Sequence, residues 1–128
     1  MGATRDLALT ELPLRGIAIN ETGDSNAVSV VASDSGVIFI NEFAGTTTYT
    51  LPTVDLMKGK AYVFTSNVAQ TIVVTGGTTD VMSGGTASIQ VDGDKVTSGG
   101  NIGDCCAVIC DGTNYFVFPF SGTWTNSG

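Results

Sequence analysis

The chain has no histidine, and its ionisable side chains are scarce. Only 13% of its 128 residues are charged, and five Lys or Arg stand against twelve Asp or Glu, for a net charge of −7. Without histidine, the usual base beside a Ser or Cys nucleophile and a common zinc ligand are both missing. Because so few basic residues make no track for phosphates, we expect neither nucleic acid nor an anionic membrane as a partner.

Long apolar runs are missing as well. No stretch approaches the roughly 18 consecutive apolar residues that a membrane span needs. The first residues lack the apolar core of a secretion signal, so we expect synthesis in a cytoplasm and no export. In that reducing compartment the three cysteines would remain thiols.

The residues that are present favour an all-β fold. Hydrophobic residues make up 42% of the chain, enough for one folded domain. Short stretches alternate in period two and break at Gly, Asn, Asp and Ser, which predicts an antiparallel β-sandwich or β-barrel of about eight or nine short strands. We predict strands at 27–32, 37–41, 47–51, 61–65, 71–75, 80–82, 87–91, 105–110 and 115–120. Residues 7–12 and 54–58 are the only weak helical candidates, each about one turn.

The two ends of the chain differ from the middle. Residues 1–26 lack clean alternation and carry spaced aliphatic residues, which indicates an extended N-terminal arm that lies on its own domain or on another chain. Residues 27–120 would form the β body. Residues 121–128 would be a short tail, with Trp124 among turn-forming residues. The Gly-Gly pairs near residues 76 and 84 favour two turns over a solenoid, and no tandem repeat is evident.

The stretch GDCCAVICDGTNYFVF, residues 103–118, raises the possibility of thiol chemistry. In a strand, Cys106, Val108 and Cys110 point one way, and Cys105, Ala107 and Ile109 point the other, so both faces are apolar. Such a strand is buried on both sides, or lies between the core and a neighbouring subunit. No CxxC spacing is present, so packing is the favoured role and a zinc site is disfavoured.

No catalytic or cofactor motif emerges from the remaining polar residues. Asp92 and Asp94 flank Gly93, which is typical of a turn and falls short of an EF-hand pattern. The Gly-rich segments do not match a P-loop, and no nucleophile elbow occurs. We therefore predict that the chain is not an enzyme and binds no cofactor or metal.

The final hairpin offers an aromatic face. Phe116, Phe118 and Phe120 alternate with Tyr115 and Val117. Such a face could bind sugar rings, but a core or a subunit interface is the favoured interpretation because both sides are apolar.

The order of elements from about residue 36 to 118 resembles small β-rich virion proteins of tailed bacteriophages, above all capsid decoration (cement) proteins. The shared marks are Leu51-Pro52 at a strand end, the GKAYVF strand at residues 59–64 and the DGTNY hairpin at residues 111–115. Related modules occur in tail and head fibres. The resemblance implies no catalytic residues.

The resemblance implies a structural protein on the capsid exterior that binds the major capsid protein at capsomer junctions and associates with itself, most often as a homotrimer. The alternative is a receptor- or glycan-binding module of a phage fibre, recognised by an exposed aromatic platform such as Tyr115 or Trp124. For the decoration role, the expected shell-binding arm residues are Arg5, Leu7, Leu9, Leu12, Leu14, Arg15, Ile17 and Ile19. The expected self-interface residues are Val108, Cys110, Phe116 and Phe118.

Overall fold

The computed structural model describes residues 14–54, 57–76, 81–84 and 95–127, with the side chains of 81–84 and 127 left aside. This part of the chain contains one 3₁₀ turn, Ala32–Asp34, and eleven β-strands. The strands are β1 Gly16–Glu21, β2 Ala27–Ser29, β3 Val37–Glu42, β4 Thr47–Thr50, β5 Ala61–Ser66, β6 Ile72–Thr75, β7 Val81–Gly84, β8 Lys95–Thr97, β9 Cys105–Cys110, β10 Asn114–Ser121 and β11 Thr125–Ser127.

The strands form two sheets that pack face to face. The six-stranded sheet has the order β1-β3-β5-β9-β10-β7, and the five-stranded sheet has the order β11-β8-β6-β4-β2. The predicted all-β sandwich is confirmed, and the sheets do not close into a barrel. The expectation of purely antiparallel pairing is wrong, because β1, β3 and β5 pair in parallel, as do β2, β4 and β6.

The first six strands alternate between the sheets and so wind as stacked coils. Ile17 lies beside Ile38, and Ile38 lies beside Val63, at intervals of roughly 20 to 25 residues, the short end of the range for solenoid repeats. The expectation of no tandem repeat is therefore wrong for this part of the chain. Antiparallel β9 and β8 then cover the last coil on its two sheets.

A buried polar ladder runs through the coils. Asn20, Asn41 and Ser66 occupy matching positions on β1, β3 and β5. The Thr47 hydroxyl donates to Asn41 Oδ1 at 2.8 Å and accepts from Asn20 Nδ2 at 3.3 Å. Because buried polar groups favour hydrogen-bonded positions, this ladder favours one register between neighbouring coils. Within it, Asn41 Nδ2 finds no partner among the described residues.

Aromatic rings fill the core between the sheets. Phe39 stacks on Phe64 with ring centroids 5.3 Å apart, and Tyr49 lies 5.0 Å from Phe64. Tyr62 completes the cluster and donates its hydroxyl to Val31 O at 3.3 Å. Tyr49 is fully buried, and no described residue accepts its hydroxyl hydrogen.

The predicted end segments are partly incorporated into the body. Residues 16–21 of the expected arm form β1, and residues 125–127 of the expected tail form β11, which pairs with β8. Trp124 is 1% exposed and donates its indole N–H to Ser121 O at 3.0 Å. The tail therefore seals the core, and only residues 1–13 of the arm lie outside the described part.

Most of the other predicted strands lie where the structure has a strand, but their first and last residues often differ. The 105–110 strand has the predicted bounds, and the 27–32 strand is replaced by β2 and the 3₁₀ turn. No helix occurs at the described residues of 54–58. The 7–12 helix candidate and the 87–91 strand lie outside the described residues.

A tight junction joins Asp104 to Gly122. The buried Asp104 carboxylate accepts from Asn101 N at 3.0 Å, and its backbone carbonyl accepts from the Ser66 amide at 3.1 Å. Gly122 has φ +86°, and a Cβ there would overlap the Asp104 carboxylate. Both backbone conformation and space therefore require glycine at this position.

Gly122→Ala is expected to lower the free energy of unfolding by about 3 kcal/mol or more, through positive φ and steric overlap together. Gly103→Ala is the matched control. Gly103 also has a positive φ, but no atom lies within 4 Å of its added Cβ. The control should therefore cost only about 1 kcal/mol. Urea unfolding measures both, and equal losses would contradict the proposed overlap.

Tyr49→Phe is expected to leave stability at pH 7 unchanged or raise it by about 1 kcal/mol, because it removes a buried hydroxyl without a described partner. Tyr62→Phe should cost about 1 kcal/mol, because it deletes the hydrogen bond to Val31. Urea unfolding of the two variants at pH 7 provides the comparison, and a larger loss for Tyr49→Phe would overturn it.

The same tyrosines predict a loss of stability in alkali. Burial raises the pKa of Tyr49 to about 12, and burial, aided by Asp34 and Cys110, raises the pKa of Tyr62 to about 12. An unfolded tyrosine ionises near pH ~10, so stability is lost as pH rises from about 10 to about 12. Tyr49→Phe should reduce that loss.

Candidate interaction surface

The outer face of the six-stranded sheet is apolar across five strands. Alternation sends Phe39 and Phe64 into the core and their neighbours outward. Backbone register aligns these outward residues in rows. The central row is Ile17, Ile38, Val63, Ala107 and Phe118, and the rows beside it are Ile19, Ile40, Thr65 and Cys105, and Ala61, Ile109 and Phe116. We call this surface the apolar face.

None of these three rows contains a charged side chain, and Glu21 and Glu42 follow on the same outer side at the ends of β1 and β3. Ile17 is 61% exposed and Phe118 is 49% exposed, so both ends of the central row are open to solvent. Five strands spaced ~4.8 Å apart and six residues long cover about 400 to 500 Å². A patch of that size matches the largest apolar patch on a typical soluble monomer, which is often a functional surface.

The outer face of the five-stranded sheet has the opposite character. Its register aligns Ala27, Thr48, Val73, Thr97 and Thr125 in one row, and Ser29, Thr50, Thr75 and Lys95 in the next. Threonine hydroxyls keep this side hydrated while the β-branched side chains suit the strand. The sandwich therefore presents one apolar and one polar side.

The described members of the predicted arm lie at the edge of the apolar face. Ile17 and Ile19 point outward from β1, and Leu14 is exposed just before it. Arg15 donates from its guanidinium to the Ser33 and Ser35 carbonyls at 3.0 and 3.3 Å, so it holds a loop of its own chain. Arg5, Leu7, Leu9 and Leu12 lie outside the described residues.

The predicted self-interface requires correction. Val108 is 0% exposed and Cys110 is 1% exposed, so both belong to the core and offer nothing to a second copy. Phe116 and Phe118 do point outward, and their cross-strand neighbours are Ile109 and Ala107. The prediction selected one face of β10 together with the wrong face of β9.

The cysteines are placed for packing. Cys106 and Cys110 are buried, Cys105 is half-buried on the apolar face, and none forms a disulfide. Burial raises the pKa of the Cys106 thiol far above its usual value, and burial raises that of Cys105 despite a hydrogen bond with Thr65. Because the thiolate is the nucleophile, these shifts disfavour reactivity.

The aromatic platform proposed for sugar binding does not exist at the residues named for it. Tyr115 is fully buried and donates its hydroxyl to the Pro52 carbonyl, and Trp124 is buried against the C-terminal turn. Phe118 and Phe120 are the exposed aromatics of the hairpin. Phenylalanine offers a ring surface without the hydrogen-bonding groups that orient a sugar.

The described residues contain no group of three or more His, Cys, Asp or Glu able to hold a metal ion. None of the described helical segments is long and apolar enough to cross a membrane.

Two sequence signals could have revealed this surface. IAINE at residues 17–21 repeats as IFINE at residues 38–42, and the structure aligns the two segments position by position. In β3 and β5, both the inward and the outward positions are largely apolar, as they are in β9. A search for matching apolar pairs across the repeat would have placed Ile17 and Ile19 on a sheet.

No family model matches the chain, and no curated protein matches it either.

Burial of Cys110 yields a test of its packing role. Cys110→Val should cost less than about 1.5 kcal/mol, because valine keeps an apolar side chain of similar size. Cys110→Asp should cost about 3 kcal/mol or more, because it buries an unpaired carboxylate. Urea unfolding at pH 7 compares the two, and equal stability would mean that the side chain is not buried.

Proposed function

We propose that this chain is a structural virion protein that decorates and stabilises a phage capsid, binding the outer shell at capsomer junctions as a homo-oligomer. The observation that carries the proposal is the apolar face, an uncharged surface across five strands of a rigid sheet. The resemblance of residues 36–118 to decoration proteins supplies the biological setting.

The apolar face favours a protein surface as its partner. Burying apolar area stabilises a complex by about 25 cal/mol per Å², so some 400 Å² on each partner gives a large gross driving force. The face is flat and lacks polar groups to orient a small ligand, which a typical ligand pocket would provide. A flat apolar surface instead suits a second protein with its own apolar patch.

The rest of the molecule suits a component of a large assembly. The net charge of −7 keeps the free protein soluble despite its exposed apolar residues. The sandwich is rigid because the polar ladder and the ring cluster fix its register. A rigid ligand that binds only the assembled shell stabilises it by mass action, and many copies per shell multiply the effect.

Leu14, Ile17 and Ile19 connect this face to the predicted arm. All three are exposed aliphatic residues at the edge where residues 1–13 join the body. An arm that continues from this edge would extend the apolar contact beyond the sheet. We therefore include the aliphatic arm residues in the proposed shell-binding surface, together with the outward residues of β9 and β10.

The test uses undecorated capsids assembled from the major capsid protein encoded in the same genome. Ile109→Asp combined with Phe118→Asp should weaken capsid binding about 100-fold, since each aliphatic or aromatic side chain contributes about 1.5 kcal/mol or more when buried. Thr50→Asp combined with Thr125→Asp adds the same charge to exposed positions of the polar side. Co-sedimentation should show loss for the first variant and normal occupancy for the second.

Normal capsid occupancy by the Ile109→Asp/Phe118→Asp variant would reject the apolar face as the shell contact. Binding of neither wild type nor variants would reject the decoration role itself. Urea unfolding should first show that both variants remain folded, with stabilities within about 1 kcal/mol of each other.

A further inference from the structure

One end of the sandwich has two open strand edges. β1 is the first strand of the six-stranded sheet and β2 is the last of the five-stranded sheet, and both belong to the first coil. Among the described residues, no strand pairs with the outer edge of either. At the opposite end of the coils, by contrast, β9 and β8 continue the two sheets.

β1 has the features of an edge prepared for pairing. It is six residues long, longer than β2, β7 or β11, which end the sheets elsewhere. Its sequence, GIAINE, contains no proline or lysine, and β1 pairs with β3 without a bulge. Natural proteins usually protect an exposed apolar edge strand with a proline, a lysine or a bulge, because such an edge offers free backbone hydrogen-bonding groups to another strand.

The direction of those backbone groups follows from the parallel ladders of β1, β3 and β5. The Asn67 amide donates to Asn41 O at 2.9 Å, so Asn41 faces β5, and its parallel partner Asn20 faces β3 in the same direction. Ile17, Ile19 and Glu21 therefore direct their N–H and C=O groups toward the free edge. The Glu21 amide donates to Asp24 Oδ2 and the Glu21 carbonyl accepts from the Asp24 amide, so a partner strand would find two donors and two acceptors, on Ile17 and Ile19.

The core beneath this edge opens to solvent. A cleft of about 80 Å³ lies between the sheets and is lined by Ala18, Ile19, Asn20, Val28, Phe39 and Tyr49. The small Ala18 and Val28 come from the two open strands. A chain that continued both sheets past β1 and β2 would cover this gap, as β9 and β8 cover the other end.

The sequence of β1 is complementary to itself in antiparallel orientation. With Ala18 opposite Ala18 of a second copy, Ile17 lies opposite Ile19 and Arg15 lies opposite Glu21. Ile17 and Ile19 share the outer face, so apolar meets apolar, and the Arg15 cation, which also bonds Ser33 O and Ser35 O of its own chain, lies opposite the Glu21 anion at both ends. Ile17 with Ile19 is then a hydrogen-bonded pair on each side of the axis, with about four backbone bonds in total, and Ala18 with Ala18 is a non-hydrogen-bonded pair.

We propose that a second copy of this chain docks on the β1 edge, with the two β1 strands antiparallel about a two-fold axis through Ala18. The same axis brings the β2 edges toward each other, so both sheets continue across the junction. The apolar faces of the two copies lie on the same side and merge into one surface of about twice the area. This two-fold pairing replaces the trimer implied by the resemblance.

The inference rests on the homo-oligomer part of the proposed function. It concerns the contact between two copies of this chain and not the contact with the capsid shell. Failure of self-pairing would leave capsid binding by the apolar face untouched, and failure of capsid binding would leave the dimer untouched. The contact is narrow, so we expect a Kd on the order of micromolar.

The experiment is sedimentation velocity of the full chain from about 1 to about 300 μM, a range that spans the expected Kd. Wild type should shift from monomer to dimer. Arg15→Glu places two Glu opposite each other, and Glu21→Arg places two Arg opposite each other, so each variant alone should dimerise about tenfold more weakly or worse. An equimolar mixture should recover dimer, because each variant then meets its complement.

Lys58→Glu is the control, since Lys58 is exposed and lies outside β1. It carries the same charge reversal as Arg15→Glu and should dimerise as wild type does. Three results would overturn the inference: a wild type that stays monomeric throughout the range, a trimer, or a mixture of Arg15→Glu and Glu21→Arg that recovers no dimer. Recovery in the mixture cannot arise from a merely structural role of Arg15, because both variants remain unchanged within their own chains.

Discussion

The register of the parallel coils depends on the Thr47 hydroxyl, which joins Asn20 on β1 to Asn41 on β3. A slip of one residue between these strands would turn Asn41 outward and bring Ile40 into the core. It would also break the alignment of Ile17, Ile38 and Val63 on the outer face. One buried hydrogen-bond network therefore maintains both the core and the surface that we propose as functional.

The two outer sides of the sandwich follow from this register. Inward positions of both sheets are filled by rings and aliphatic side chains, so the outward positions are free to differ. They are mostly isoleucine, valine, alanine and phenylalanine on one sheet and mostly threonine on the other. A free monomer gains nothing from an apolar outer side, since water covers it. The asymmetry becomes useful only when the molecule is attached to something else, which is why we favour an assembly role.

Much of the fold could be predicted from the sequence, because local alternation and turn residues reported the strands directly. The parallel pairing could not be predicted, because strands some 20 residues apart leave no local signal in the sequence except a repeat. Here that repeat, IAINE and IFINE, is only five residues long. For the same reason β1 was assigned to an arm. Its apolar residues point outward, the reverse of the usual pattern, so alternation gave no inward face.

The residues predicted for the self-interface show more clearly what the sequence alone cannot decide. Val108 and Phe118 both lie on apolar strand faces, and composition cannot distinguish the face that packs on its own core from the one that packs on another molecule. Only the position of each strand within its sheet decides this. Where two faces of a strand are equally apolar, the sequence predicts that both are buried. It does not show which face packs on the protein's own core and which packs on another molecule.

The burial of Trp124 bears on the order in which the molecule forms. β11 closes one end of the five-stranded sheet through β8, and Trp124 fills the core beside it. During synthesis the coils emerge first, with β5 and β6 still uncovered on the side that β9 and β8 later pair. A nascent chain therefore carries open strands at both ends of its coil stack. Folding stays incomplete, and unwanted pairing between neighbouring nascent chains stays possible, until the residues around Trp124 have been added.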